Sequence, residues 1–74
     1  MKVSKAFGIA LRELREAQGL SQEKLALESD LDRTFISLLE RGLRQPSLTT
    51  IFELAKVLDC RASALVDRAE KLLR

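Results

Sequence analysis

The 74 residues suffice for one domain, and a core of that size is only marginally stable unless self-association helps. Apolar residues at 46% and charged residues at 32% exclude disorder, while a net charge of only +2, from 13 Lys and Arg against 11 Asp and Glu, leaves any nucleic-acid role to charge distribution rather than bulk charge. One cysteine excludes an internal disulfide, the lack of histidine leaves no Cys/His zinc set, and no apolar run approaches the roughly 20 residues of a membrane span or forms a signal-peptide core, so a reducing cytoplasm is the expected compartment and no cofactor or metal is expected.

In chain order, Met1–Val3 reads as a short lead-in. Ser4 is placed to cap a first helix running to about Gln18, with Phe7, Ala10, Leu11, Leu14 and Ala17 at spacings of three and four along one face. Gly8 inside it costs about 1 kcal/mol relative to alanine, which close packing against another helix would explain. Ile9 falls outside that complete inward face. Gly19 ends the helix and Leu20 folds back as an apolar anchor.

The stretch from Ser21 to Gly42 reads as two short helices joined by a tight turn. Ser21 caps the first, and Gln22 and Glu23 occupy its first turn, although Lys24 rules out a full capping box. Leu25, Ala26 and Leu27 supply apolar surface, Ser29-Asp30 breaks the pattern and Leu31 is a turn residue with a buried character. Asp32 is a second N-cap candidate ahead of a helix from Arg33 to Arg41, and Gly42 closes it at a position that needs a left-handed backbone. Leu43 to Pro46 is a surface loop. Ser47 caps a fourth helix, Leu48 to about Leu58, with Leu48, Ile51, Phe52, Leu54, Ala55 and Leu58 in helical register, Asp59-Cys60 breaks it, and a last helix covers 62–73. The expected fold is therefore all-α: one five-helix domain over residues 1–74.

Helix, tight turn and helix, with small Ala26 where the two must approach, is the layout of a DNA-binding helix-turn-helix. The run LRELREAQGLSQEKLALESDLDRTFISLLERGLRQPSLTTIFELAKVLDC, residues 11 to 60, resembles the Cro/repressor-type, XRE-like family of phage repressors and small bacterial regulators, and LDRTFISLLERG most resembles the recognition helix of restriction-modification controller proteins. The resemblance implies a compact lambda-repressor-like domain and a groove-facing set matching Arg33, Thr34, Ser37 and Leu38. It also implies a phosphate-binding glutamine matching Gln22, and an arginine–glutamate pair matching Arg15 and Glu40 that ties the first helix to the end of the recognition helix. Arg15 as a phosphate ligand, or both as solvated charges, are the alternatives.

The residues point the same way on their own chemistry. A helix about 10–12 Å across fits a major groove about 12 Å wide, and its N-terminal residues reach base edges. Arg33 can fork to O6 and N7 of guanine, and Thr34 can meet a thymine methyl or a phosphate. Three arginines and one acid lie between Arg33 and Pro46, whereas acids Glu13, Glu16, Glu23, Glu28 and Asp30 precede that helix. Arg41, Arg44 and Gln45 flank it and are candidates for backbone contacts, with the minor groove as an alternative for Arg44. Phe35, Ile36 and Leu39 read as core, with Phe35 also placed to pack on sugar or a thymine methyl, and Cys60 reads as a small buried hydrophobe.

One small reader touching about four base pairs cannot select its target among a genome of competitors, so a homodimer on a palindromic operator is expected. Leu65, Val66, Ala69, Leu72 and Leu73 on the last helix are the expected interface, with completion of the monomer core as the alternative. The expected function is sequence-specific transcription regulation through double-stranded DNA, with RNA polymerase a candidate partner and no membrane role. Competing readings are the DNA-binding half of a toxin-antitoxin pair and a protein-interaction module without DNA binding. Enzymatic activity is the weakest, since the chain has no histidine, metal-ligand cluster or glycine-rich phosphate loop.

Overall fold

The computed structural model describes all 74 residues and consists of five helices, α1 (Val3–Ala17), α2 (Gln22–Ser29), α3 (Arg33–Glu40), α4 (Leu48–Val57) and α5 (Ala62–Leu72), with no strand. Serines start two of them. The Ser21 hydroxyl accepts from the Lys24 N–H at 3.0 Å, and Ser47 accepts from the Thr50 N–H at 3.1 Å, each satisfying one orphan donor of a first turn. Ser4 does not cap α1. That helix begins one residue before it, with Lys2 in the N-cap position and no side-chain cap, because its first N–H groups lie at an exposed end where water can serve them. Asp32 occupies the N-cap position of α3, but its side chain makes no capping bond.

Four helices end by one device. In each, an N–H reaches back five residues to a carbonyl: Leu20 to Arg15 at 3.1 Å, Leu31 to Ala26 at 2.9 Å, Leu43 to Leu38 at 2.9 Å and Cys60 to Ala55 at 3.0 Å. Such a bond requires a left-handed residue just before the donor, and these are Gly19, Asp30, Gly42 and Asp59. Aspartate tolerates that conformation better than most side chains, so the two polar breaks at Ser29-Asp30 and Asp59-Cys60 are helix stops of the same kind as the glycines. Leu20, Leu31 and Cys60 then turn in to pack against the core, whereas Leu43 stays exposed.

The core draws on every helix: Ala6, Phe7, Ala10 and Leu11 from α1, Leu25 and Ala26 from α2, Ile36 and Leu39 from α3, Leu54 and Leu58 around the end of α4, and Leu65 and Ala69 from α5. Each fully buried leucine or isoleucine among them stabilises the fold by about 1.5–3 kcal/mol relative to leaving it exposed. α1 is central and packs on both α3 and α5. Helical spacing overstated the inward faces elsewhere. Leu27, Leu48 and Phe52 are exposed, as is Ala17 at the last position of α1, because helices packed on one side have room for only part of an apolar stripe.

Two features set how α1 meets α3. A Cβ on Gly8 would land 2.6 Å from the Glu40 carbonyl oxygen and closer still to that of Leu39, so only glycine allows the backbones to touch there. Two turns further along α1, Arg15 and Glu40 form a bidentate ion pair, Nε to Oε2 at 2.6 Å and Nη2 to Oε1 at 3.0 Å, with side chains 10% and 3% exposed. The remaining Arg15 nitrogen, Nη1, donates to the Leu20 carbonyl at 2.8 Å. The hydrogen bond to Glu40 raises the guanidinium pKa above its ordinary value, with burial opposing and the Glu40 charge adding to it.

Gly8→Ala should destabilise the protein in urea titrations, since overpacking costs about 1–3 kcal/mol and the gain in helix propensity is about 1 kcal/mol. An unchanged or raised midpoint would show that α1 can move away at no cost. Glu40→Ala strands a buried arginine and should cost about 3–5 kcal/mol, enough to abolish most of the helical circular dichroism of so small a core; retention of a cooperative melt within about 1 kcal/mol of the parent would show that the pair is dispensable.

Candidate nucleic-acid interface

The opposite faces of α3 have opposite fates. Ile36, Leu39 and Glu40 are buried, holding the helix by its inner side, while Arg33 and Thr34 are exposed and Ser37 and Leu38 half-buried along the outer edge. The four residues singled out for base reading thus lie on the accessible part of the helix, the first two at its N-terminal end. Phe35 is half-buried and packs against the core.

Arg33, Arg41 and Arg44 enter none of the ion pairs, which are instead confined to Arg12–Glu16, Arg15–Glu40, Lys24–Glu28, Arg68–Glu13 and Lys71–Asp67. Their charges are uncompensated within the chain. Arg41 is exposed and leans back to donate weakly from Nε to the Ser37 carbonyl at 3.4 Å, and Arg44 and Gln45 are exposed in the loop that follows Gly42. That loop is held against the first turn of α1, since a Cβ on Gly42 would come within 2.8 Å of Lys5 Cα.

A shallow open concavity separates the start of α2 from the start of α3. Gln22, Lys24, Leu27 and Arg33 share its wall with Arg15, so the structure brings Gln22 and Arg33 to one surface although 11 positions separate them in the chain. Two of these wall residues are additions to the sequence-derived set. Leu27, expected to supply apolar packing, is 73% exposed here, and Lys24 reaches solvent beside it. A further addition is the Gln22 amide, whose Nε2 donates to Glu40 Oε1 at 3.0 Å. Eighteen residues on two helices separate these partners, so no periodicity within one helix could have joined them.

The last helix requires a correction. Leu65 is fully buried and Ala69 is 6% exposed, because α5 packs directly on α1 and α4, so both complete the monomer core, and only Ala69 also reaches the wall of a surface groove. Leu72 is half-buried against that core. Val66 and Leu73 remain outward, 47% and 41% exposed, and on α4 Leu48 and Phe52 are outward as well. Val3, Ile51 and Val66 line one apolar groove with Pro46 at its edge. Cys60 is half-buried, and burial, with a contribution from the Asp59 charge, pushes its thiol pKa up, so it stays a protonated, weakly nucleophilic group at neutral pH. No helix is long and apolar enough to cross a membrane.

Known proteins share this arrangement. The helix-turn-helix family model HTH_3 matches residues 11–65. The control protein C.BamHI of Bacillus amyloliquefaciens is 45% identical over 62 residues, covering 82% of this chain and 76% of that protein. The crystal structure of the restriction-modification controller protein C.AhdI from Aeromonas hydrophila superposes with a TM-score of 0.82 at 50% identity, over 84% of this chain and 94% of that one. The restriction-modification controller protein C.Esp1396I, solved as a tetramer in complex with its natural 35 base-pair operator, superposes with a TM-score of 0.85 at 27% identity, over 96% of this chain and 93% of that one. With a helix-turn-helix that the structure builds from Ser21 to Gly42 and relatives matched over most of their length, this chain belongs to the XRE-type helix-turn-helix family.

Proposed function

We propose that this protein is a sequence-specific, DNA-binding transcription regulator of the restriction-modification controller type, acting as a homodimer on a palindromic operator. The observation that carries this reading is the division of α3: its inner side is locked into the core through Ile36, Leu39 and Glu40, and its outer side offers Arg33, Thr34, Ser37 and Leu38 with no competing ion pair for the arginine. A rigid helix with a free N-terminal arginine is what major-groove reading needs, because a bidentate contact to guanine discriminates only when its donor is held in register. In this reading Gln22, at the positive end of α2, and Arg41, Arg44 and Gln45 after α3 grip phosphates on either side of the groove, which orients the domain without specifying sequence.

The homodimer is supported by the outward apolar residues of α4 and α5. Leu48 and Phe52 are exposed one helical turn apart on α4, Val66 of α5 lines the groove with Val3 and Ile51, and Leu73 at the end of α5 is exposed two turns beyond Val66, so the outward apolar residues come from two helices rather than from the single-helix stripe expected from the sequence. A second copy of the same chain covers such a face by two-fold symmetry, and a symmetric dimer places its two reading helices about 34–36 Å apart, one turn of DNA. The C.Esp1396I tetramer on its operator supports oligomeric occupancy of the target. Regulation then follows from position: occupancy over a promoter excludes RNA polymerase, and occupancy just upstream can recruit it.

Selection of bound duplexes from a random pool, at low and at physiological salt, should enrich a palindrome with half-sites about one helical turn apart. Binding that enriches no sequence and vanishes as salt rises would reduce the protein to an electrostatic binder. On the selected operator, Arg33→Ala should weaken binding by about 1–3 kcal/mol and relax preference at one base pair of each half-site; unchanged affinity and preference would remove Arg33 from the reading set. Phe52→Glu, at an exposed position, should leave the thermal melt near that of the parent while shifting sedimentation toward monomer and weakening operator binding. A variant that sediments as the parent does would move the interface elsewhere.

A further inference from the structure

We infer that Glu40 is a positioning residue for DNA binding: it holds the Gln22 side-chain amide in the orientation that presents a free N–H to a DNA phosphate, while Arg15 neutralises the carboxylate that does so. The inference rests on the DNA-binding reading above. Glu40 is the last residue of α3, where a negative charge opposes the helix dipole, and it is buried, so neither helix propensity nor solvation accounts for an acid there. Both of its oxygens accept hydrogen bonds. Oε2 takes Arg15 Nε at 2.6 Å, and Oε1 takes both Arg15 Nη2 and Gln22 Nε2 at 3.0 Å.

The consequence falls on Gln22. A planar amide has one carbonyl and two N–H donors, and with one N–H committed to Glu40 its flip is decided, since the reversed amide would set oxygen against oxygen. The other N–H stays free at the rim of the concavity between α2 and α3, where Gln22 is only half-buried. A side chain already held loses less rotamer freedom when a ligand arrives. An isolated carboxylate so close to a phosphate would repel it, but the bidentate guanidinium of Arg15 supplies the opposite charge on the same two oxygens. The pair that joins α1 to α3 thereby also prepares the start of α2.

The Gln22→Ala loss measured within the paired variant Arg15→Met/Glu40→Leu separates structural from positioning roles, because exchanging a buried ion pair for apolar side chains is often neutral for folding, a shift of α3 weakens binding with or without Gln22, and only positioning makes the Gln22→Ala loss depend on Glu40. On the selected operator, Gln22→Ala should weaken binding by about three- to tenfold in the parent, the value of one hydrogen bond. The paired variant should melt cooperatively, bind more weakly by a similar factor, and lose no more than about twofold when Gln22→Ala is added. Full affinity in the paired variant, or a full Gln22→Ala loss within it, would overturn the inference. Should the paired variant fail to fold, nitrogen-15 relaxation of the side-chain amides in the unmodified protein decides: Gln22 should be markedly more rigid than exposed Gln18 and Gln45, and equal mobility would sink the proposal. Absence of any sequence-selective binding by the unmodified protein would instead overturn the functional reading itself.

Discussion

The close approach of α1 to the end of α3 is the constraint on which the other parts of the structure depend. Gly8 lets the two backbones meet, and the Arg15–Glu40 pair keeps them in register. A buried ion pair of this kind need not make the protein more stable than an apolar replacement would, because desolvation of both charges offsets most of their attraction. What it does supply is direction. A guanidinium fork engages a carboxylate in one plane and at one distance, whereas leucines at the same contact would tolerate sliding. In the proposed reading, an α3 that slides by an ångström no longer places Arg33 against a guanine edge, so the pair sits where misalignment would matter most.

Around that lock the charges are partitioned rather than abundant. Three of the four acids of α1 and α2 are paired, Glu16 with Arg12 and Glu28 with Lys24 on their own helices and Glu13 with Arg68 across helices, and Glu23 at the start of α2 is unpaired. Arg33, Arg41 and Arg44, at the start of α3 and just after it, carry no such partners. A nearly neutral protein can therefore present a positive edge to a polyanion, since contacts within a Debye length of about 8–10 Å count and distant charges are screened. This also explains why a net charge of +2 is a poor guide to the chemistry of the surface.

The small core bears on assembly. α5 spends Leu65 and Ala69 on closing the monomer, which leaves the outward residues of α4 and α5 as apolar area that a chain of this length gains from covering. For the proposed dimer, folding stability and association would be linked through concentration, so occupancy of an operator would rise more steeply with the amount of protein than for a monomer.

Much of the fold was legible in the residues alone. Helix boundaries followed from Ser21 and Ser47 as caps, though not from Ser4, from glycines at left-handed stops, from the polar breaks at Asp30 and Asp59 and from one proline, because those signals act within a few residues of where they are read. The outward placement of Arg33 and Thr34 was legible for the same reason, since a helix start and its periodicity assign a face. What lay beyond the sequence was how much of each apolar stripe finds a partner. Leu27, Leu48 and Phe52 share the helical spacing of buried neighbours and are nonetheless exposed, and Leu65 and Ala69 are buried where an interface was expected. Periodicity says which residues share a face, whereas only the packing of five helices decides which face is covered. The Gln22–Glu40 contact belongs to the same class. It depends on the angle between α2 and α3 and on a third helix delivering Arg15, a three-body geometry that no local pattern encodes.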